Sequence, residues 1–426
     1  MITLSEGRGA GGSIKASAED FVVEEITKGG VVLATGSRYG AVDLGMEEGG
    51  EGSKFCTFVL QKRDWNTVQA LAGIARKFRR GIRAMGFAGT KDRTAVSTQL
   101  CSMHGVSPDN IMAVHIKDIA INGAWRSNDG VRMGELLGNR FSVVVRGDSL
   151  NQEGLGDINA ELGGLFPNYF GEQRFGFRNN NVQVGLDIIR GDLEAAVMKI
   201  LTDTTNERNA DAIGARTRLA EEMDFLRATE YFPRYLKYER SMIDHLSKYP
   251  TDYGNAIRKL PRSLALMYVH SVDSYIFNRE IELRLGGKGG TAPVDGDMVC
   301  RTDAYGFPDL GAVFPSAQAG TEGKLFVVGS IVGYDNKVNM VEAGILEELG
   351  ITQEQFRVKS MPELNCKGAY RAVFAPYLNF SHSMPEEGAM RLVFSLPAGS
   401  YATVLMREFV KGDAGPAAGD QPPVDA

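Results

Sequence analysis

The sequence predicts an α+β protein with a long middle segment of different character set into it. Three observations lead there. Residues 1–150 are rich in short period-2 apolar runs broken by glycine. Near Leu165 the pattern turns helical. Around Leu392 the alternation returns. At 426 residues the chain is long for one hydrophobic core, so two domains, or one domain carrying a large insertion, are expected.

In chain order, the turn-like residues 16–20 lead into a β-rich run at 21–26, and a glycine-heavy loop with short strands covers 29–52. A second strand is predicted at 55–60. Asn66 or Thr67 then caps a helix with Val68, Leu71, Ala75 and Phe78 on one face. It closes on Arg76, Lys77, Arg79 and Arg80, with Gly81 to stop it. Those cations read equally as complements to the helix dipole or as RNA contacts. Strands are expected at 82–88, 94–101, 114–121 and 140–146, the last with Phe141, Val143 and Val145 on one face. Helices are expected at 192–201, 215–228 and 264–285. The run Gly286-Gly287-Lys288-Gly289-Gly290 breaks the last of these, and β-like segments follow through Tyr334. Leu392, Phe394 and Leu396 alternate as a strand. A final helix turns Tyr401, Val404, Leu405 and Phe409 inward, and a Pro/Ala/Gly-rich tail follows from Gly412.

Composition excludes several classes. Cys56, Cys101, Cys300 and Cys366 show no C-x-x-C spacing, and the five histidines show no H-x-x-x-H pair, so neither a disulfide framework nor a metal centre is expected. No apolar run approaches the ~20 residues of a membrane span and no signal pattern opens the chain, so the expected compartment is the cytoplasm. Formal charge is 47 − 53 = −6. RNA binding would therefore need a localised basic face. Gly7-Arg8-Gly9-Ala10-Gly11-Gly12 spells a dinucleotide fingerprint, but no strand feeds it and no helix follows. The pairs Glu19-Asp20, Glu24-Glu25 and Glu347-Glu348 could supply two carboxylates for sugar hydrolysis, although such clusters are more often solvated.

The segment Ala88-Gly89-Thr90-Lys91-Asp92-Arg93 carries the chemistry. It sets one carboxylate between two cations after a glycine, where neighbouring positive charge favours the ionised form. A solvated surface turn is the alternative. Three more segments accompany it: Lys15-Ala16-Ser17-Ala18-Glu19-Asp20-Phe21-Val22-Val23-Glu24-Glu25, Gly138-Asn139-Arg140-Phe141, and Pro167-Asn168-Tyr169-Phe170-Gly171-Glu172-Gln173-Arg174-Phe175-Gly176. In this order and spacing they resemble the TruD family of tRNA pseudouridine synthases. Ser274-Tyr275-Ile276-Phe277-Asn278-Arg279 and Leu396-Pro397-Ala398-Gly399-Ser400-Tyr401-Ala402-Thr403 are similar to family segments too. The resemblance spans nearly the whole chain, and the length is that of the archaeal and eukaryotic branch.

The resemblance implies an isomerase that turns a tRNA uridine, usually position 13, into pseudouridine without a cofactor or metal. Asp92 matches the catalytic aspartate, Lys15 its active-site lysine, and Phe141 the aromatic that stacks on the uracil. Core packing beside Val143 and Val145 is the alternative for Phe141. Asn139 would hydrogen-bond in the pocket or fix the loop. Lys91 is the poorer lysine, because neighbours in extended chain point to opposite sides. The target base must be flipped out of the tRNA. The implied fold is a pseudouridine-synthase core around a mixed, mostly antiparallel sheet, at residues 1–165 and 370–412. A large α/β TRUD domain is expected as an insertion at 166–369, and composition predicts a disordered tail at 413–426. Charge alone nominates Arg79, Arg80, Arg178, Arg258, Lys259 and Arg262 for the RNA cleft; Arg174 also lies in a family segment. A non-catalytic tRNA-binding or chaperone protein, and a base-releasing glycosidase, are the competing functions. Oligomeric state is left open.

Overall fold

The computed structural model describes residues 1–287, 290–320 and 323–411. The tail expected from 413, and part of the glycine run after 286, lie outside them. The strands are β1 (Ser13–Ile14), β2 (Phe21–Thr27), β3 (Phe55–Arg63), β4 (Met85–Phe87), β5 (Val96–His104), β6 (Ile119–Ser127), β7 (Leu136–Arg146), β8 (Leu165–Pro167), β9 (Met298–Thr302), β10 (Pro308–Pro315), β11 (Leu325–Ile331), β12 (Ala369–Ala372), β13 (Phe374–Pro376), β14 (Leu378–Glu386) and β15 (Ala389–Pro397). The helices are α1 (Thr67–Lys77), α2 (Pro108–Met112), α3 (Gln152–Leu162), α4 (Asn181–Arg190), α5 (Leu193–Thr202), α6 (Ala210–Glu222), α7 (Phe225–Tyr231), α8 (Lys237–Leu246), α9 (Tyr253–Ile257), α10 (Arg262–Gly286), α11 (Met340–Glu348) and α12 (Ala402–Val410). Among the described residues no helix is long and apolar enough to cross a membrane.

A nine-stranded sheet runs β14-β15-β7-β2-β5-β3-β6, with β1 against β7 and β4 against β5. Only β2 and β5 pair in parallel, so the sheet is mixed and mostly antiparallel. The chain leaves it after β7 and rejoins it at β14. In between, the helices α4 to α10 close around one apolar core, and β10-β9-β11-β12 form a second sheet.

Registers fix which side chains share a face. Val23 lies opposite Phe141 and Glu25 opposite Asn139, and Phe141 lies opposite Phe394 across its other edge. On the far side of β2, Ser97 pairs with Val23 and with Lys62. One face therefore carries Val23, Glu25, Ser97, Gln99, Lys62, Asn139 and Phe141. Two apolar patches cover this face. Helices α3 and α12 cover the β7-β15 end, with Ile158, Leu405 and Phe409 over Val143 and Leu392. At the other end α1 covers β3-β5, with Leu71 and Ile74 over Phe58 and Cys101. Between them lies a polar strip of Glu25, Gln99, Lys62 and Asn139, and over that strip the chain lays residues 89–92.

Local chemistry explains most elements. Asn66 caps α1, accepting from the backbone N–H of Val68 and Gln69. Gly138 is required where β7 meets β15, because a Cβ there would lie 2.2 Å from the Leu396 carbonyl oxygen. Gly185 lets α4 cross α10, since its Cβ would meet the Tyr268 carbonyl oxygen at 2.1 Å. Some expectations needed adjustment. The strand expected at 82–88 is a 3-10 turn followed by the three residues of β4, and β6 begins at Ile119 rather than 114. The helix expected at 215–228 is two helices, broken where Met223 takes φ +50°.

One buried carboxyl makes stability depend on pH. Glu280 on α10 is 7% exposed, accepts from the Asn339 side chain at 2.8 Å, and faces Glu342. Burial, reinforced by the Glu342 charge, pushes its pKa up to about 8. The Glu342 carboxyl is raised too, so the folded pair keeps a proton that the unfolded chain releases near 4.5. The resulting stabilisation is full below that value and is lost as pH rises towards about 8. Glu280→Gln should therefore flatten the pH dependence of urea midpoints between 4.5 and 8. Parallel curves for the two proteins would contradict this.

Candidate active site

Three side chains from three elements pin the loop that carries Asp92. Gln99 Nε2 donates to the Gly89 carbonyl at 3.0 Å, and Thr67 Oγ1 accepts from the Lys91 N–H at 3.0 Å. Lys62 Nζ donates to the Asp92 carbonyl at 2.7 Å. Thr67 also donates to Gln99 Oε1 at 3.0 Å, so the start of α1 and β5 support each other. The Lys91 side chain points into the sheet and forms a buried ion pair with Glu25 at 2.7 Å, whose other oxygen accepts from the Leu100 N–H. Asp92 points the other way, with its side chain 36% exposed.

Lys15 Nζ lies 3.7 Å from Asp92 Oδ1, and its side chain is only 3% exposed. At that separation the contact is an ion pair rather than a hydrogen bond. The same ammonium sits 4.4 Å from the centre of the Phe21 ring. Lys15 adopts φ +62°, a left-handed conformation that costs a non-glycine residue roughly 1–2 kcal/mol. Strain of this kind persists only where the surroundings over-determine the geometry.

Phe141 continues the line from Lys15. Its ring stands edge-on to Phe21 at 6.1 Å and stacks on Phe394 at 5.6 Å, and it is 5% exposed. In this state it is packed as a core residue. Asn139 lies two positions earlier on the same face. Its Oδ1 is buried and has no hydrogen-bond partner among the described residues, an arrangement that costs free energy unless something fills it. The structure thus brings Asp92, Lys15 and Phe141 into one line of contacts, with Asn139 beside it.

The basic candidates scatter. Arg79 and Arg80 are exposed just beyond α1, whose first residue is Thr67, so they stand on the order of 16 Å along the helix from the loop. Neither has a carboxylate within 4 Å among the described residues, although Arg80 donates to the His104 and Gly105 carbonyls. Arg174 lies over the Phe170 ring at 5.1 Å. Arg178 is largely buried, and burial beside Arg216 lowers its pKa. Arg258 and Lys259 sit on the helical lobe, where Glu363 holds Arg258 at 2.6 Å and the Arg262 guanidinium donates to the Glu363 carbonyl.

The carboxylate pairs do not form hydrolase-like dyads near the N-terminus. Glu24 pairs with Arg140 on the opposite face of the sheet from Glu25; Glu19 pairs with Arg63, and Asp20 is gripped by Arg146 at 2.7 and 2.9 Å. Far from the loop, α10 and the segment before β12 bring His270, Asp273 and Cys366 within 4.8 Å, a cluster that sequence spacing does not reveal. Each is satisfied within the protein: His270 Nδ1 to Asp273 at 2.8 Å, and the Cys366 thiol to the Leu364 carbonyl at 3.6 Å.

The sequence reading missed Lys62, Thr67, Gln99 and the Glu25 partner of Lys91. A signal for Lys62 existed, because it shares strand parity with Phe58 and Leu60 and so points inward.

Comparison with known proteins adds an independent line. The family model for tRNA pseudouridine synthase D (TruD) matches residues 2–409. A protein of Methanococcoides burtonii named a probable tRNA pseudouridine synthase D is 33% identical over 430 residues, covering 95% of this chain and 94% of that one. A similarly named protein of Methanopyrus kandleri is 35% identical over 358 residues, covering 83% and 84%. The crystal structure of the putative tRNA pseudouridine synthase D from Methanosarcina mazei superposes with a TM-score of 0.76 at 29% identity, covering 97% of both chains.

Proposed function

The chain belongs to the TruD family of tRNA pseudouridine synthases, and from that premise we propose that it isomerises a tRNA uridine to pseudouridine, with position 13, the usual family target, as the uridine it modifies. The observation that carries this reading is the Asp92 carboxylate, open on one side and backed by the buried Lys15 ammonium at 3.7 Å. The C1′–N1 bond breaks, the freed uracil turns, and C5 bonds to C1′. The C5 proton leaves and N1 takes one up, so atoms and electrons balance without a co-reactant. Asp92 acts on the ribose as nucleophile or base, with the Lys15 ammonium beside it as an ion-pair partner.

We place the uracil against Phe141, which a flipped-out nucleotide reaches as the pocket opens on tRNA binding. The buried, unpartnered Oδ1 supports Asn139 as a pocket group that accepts a hydrogen bond from the base. We further propose that residues 1–165 and 370–412 form the catalytic domain and 166–369 an inserted domain, the two bounding the RNA cleft. The tRNA substrate also implies action in the cytoplasm.

Chromatographic digestion of treated, unmodified tRNA tests the reading. Pseudouridine is expected. Unchanged uridine would indicate a binding protein, and an abasic site a glycosidase. For the cleft, Arg79→Ala and Arg80→Ala should each lower the slope of log affinity against log salt by about 0.7–0.9. Arg258→Ala should change it less, because Glu363 already neutralises that guanidinium. Slopes unchanged from wild type in Arg79→Ala and Arg80→Ala would remove both residues from the interface.

A further inference from the structure

We propose that Lys62 is a positioning residue for the reaction: its buried ammonium fixes the main chain at Asp92 and so keeps the carboxylate aimed at the ribose. This rests on the function proposed above. Lys62 lies on β3 with 0% exposure, and its ammonium donates to the Asp92 carbonyl at 2.7 Å. No carboxylate lies within 4 Å of it among the described residues.

Structural economy does not account for such a lysine. A buried ammonium without an ion-pair partner is costly, and a leucine or methionine would pack a sheet interior with less penalty. Neighbouring anchors already tie down the rest of the loop: Gln99 holds Gly89 and Thr67 holds Lys91. Lys62 holds the main chain of the residue whose side chain faces the ribose.

The groups facing Lys62 set its charge. Asp92 and Lys91 face it from the loop, Asp64 from the end of its own strand, and Cys101 from β5; Lys91 is itself matched by Glu25. Burial dominates, with the Asp92 charge opposing it, and the ammonium's pKa is pushed down to about 8. The cationic form therefore prevails below that pH and is lost above it. The reaction rate should follow the same course.

Single-turnover rates of pseudouridine formation, with enzyme in excess over tRNA, test this between pH 6 and 10. The wild-type rate should fall through a one-proton limb near 8. Lys62→Met should reduce the rate at pH 7 about a hundredfold, the scale of loss for a displaced reacting group. Its tRNA affinity should stay within about threefold of wild type, because the side chain is buried away from the RNA. The limb near 8 should vanish in the variant, whereas any limb due to the substrate would persist. A folded Lys62→Met protein with a rate within about threefold of wild type overturns the proposal, because removing a positioning group must cost more. So does a wild-type rate that stays level to pH 9.5 or above. If Lys62→Met does not fold, Lys62→Arg takes its place: a guanidinium stays charged to higher pH, so the limb near 8 should move up, and a limb that stays where it was overturns the proposal. Wild-type protein that forms no pseudouridine at any pH instead rejects the underlying function, and this proposal with it.

Discussion

Asp92→Asn should abolish pseudouridine formation while the protein still folds and still binds tRNA. The side chain is 36% exposed, and the Lys62 hydrogen bond is made by its backbone carbonyl, so the loop anchors survive the substitution. Lys15 decides which variant is cleaner. With its side chain 3% exposed, it loses in Asp92→Ala the carboxylate 3.7 Å away, a loss that costs roughly 1–3 kcal/mol. An amide oxygen at the same place still faces the ammonium, so Asp92→Asn should melt close to wild type and Asp92→Ala below it. Chemistry behaves differently. A neutral amide can neither attack C1′ nor take a proton, and losses of about 10⁴ or more follow removal of such a group. Turnover by the digest, tRNA affinity by filter binding and thermal midpoint should be read on the same preparations. Asp92→Asn protein retaining a few per cent of wild-type turnover would remove Asp92 from the chemistry.

The parts of this site that could be read from the sequence are those set by neighbours in the chain. Lys91 and Asp92 point to opposite sides because adjacent residues in extended backbone must, and the same rule sends Glu24 to Arg140 and Glu25 to Lys91. The sheet was legible for a similar reason: period-2 runs such as Phe141, Val143 and Val145 do face one core. Contacts between distant segments were not legible. Lys62 meets Asp92 across 30 positions and Lys91 meets Glu25 across 66. Composition alone gives no reason to bury a lysine in the run Gln61-Lys62-Arg63. The break at Met223 was hidden too, because a left-handed residue that is not glycine or asparagine leaves no mark in the sequence. Among the basic residues, charge could nominate Arg258 but could not reveal that Glu363 occupies it.

Removing Arg371 should cost a large share of the stability. It lies at the end of β12, 9% exposed, and its guanidinium forks among three acceptors. Nε donates to the Asn168 carbonyl at 3.1 Å, Nη2 to Asn168 Oδ1 at 2.7 Å, and Nη1 to the Gly399 carbonyl at 3.0 Å. It also stacks on Phe170 at 4.4 Å. One side chain thus joins the Pro167–Gly176 segment, the second sheet and the turn that starts α12. Burial pushes its pKa down to about 10, so it remains charged at neutral pH. Replacing a buried charge by an apolar group is sometimes favourable, but only when its partners go too. Here two of the three acceptors are backbone carbonyls, which no substitution at Arg371 removes. Arg371→Met leaves all three acceptors unpaired at about 1–3 kcal/mol each, for a total loss on the order of 3–5 kcal/mol once the surroundings relax. Arg371→Lys keeps the charge but loses the planar fork, and should fall between the two. A thermal midpoint lowered by about 3–6 °C in Arg371→Met, with earlier proteolytic cleavage, is the expected result. A midpoint within a degree of wild type would mean that the three segments are held together by their apolar contacts instead, with the guanidinium incidental to them.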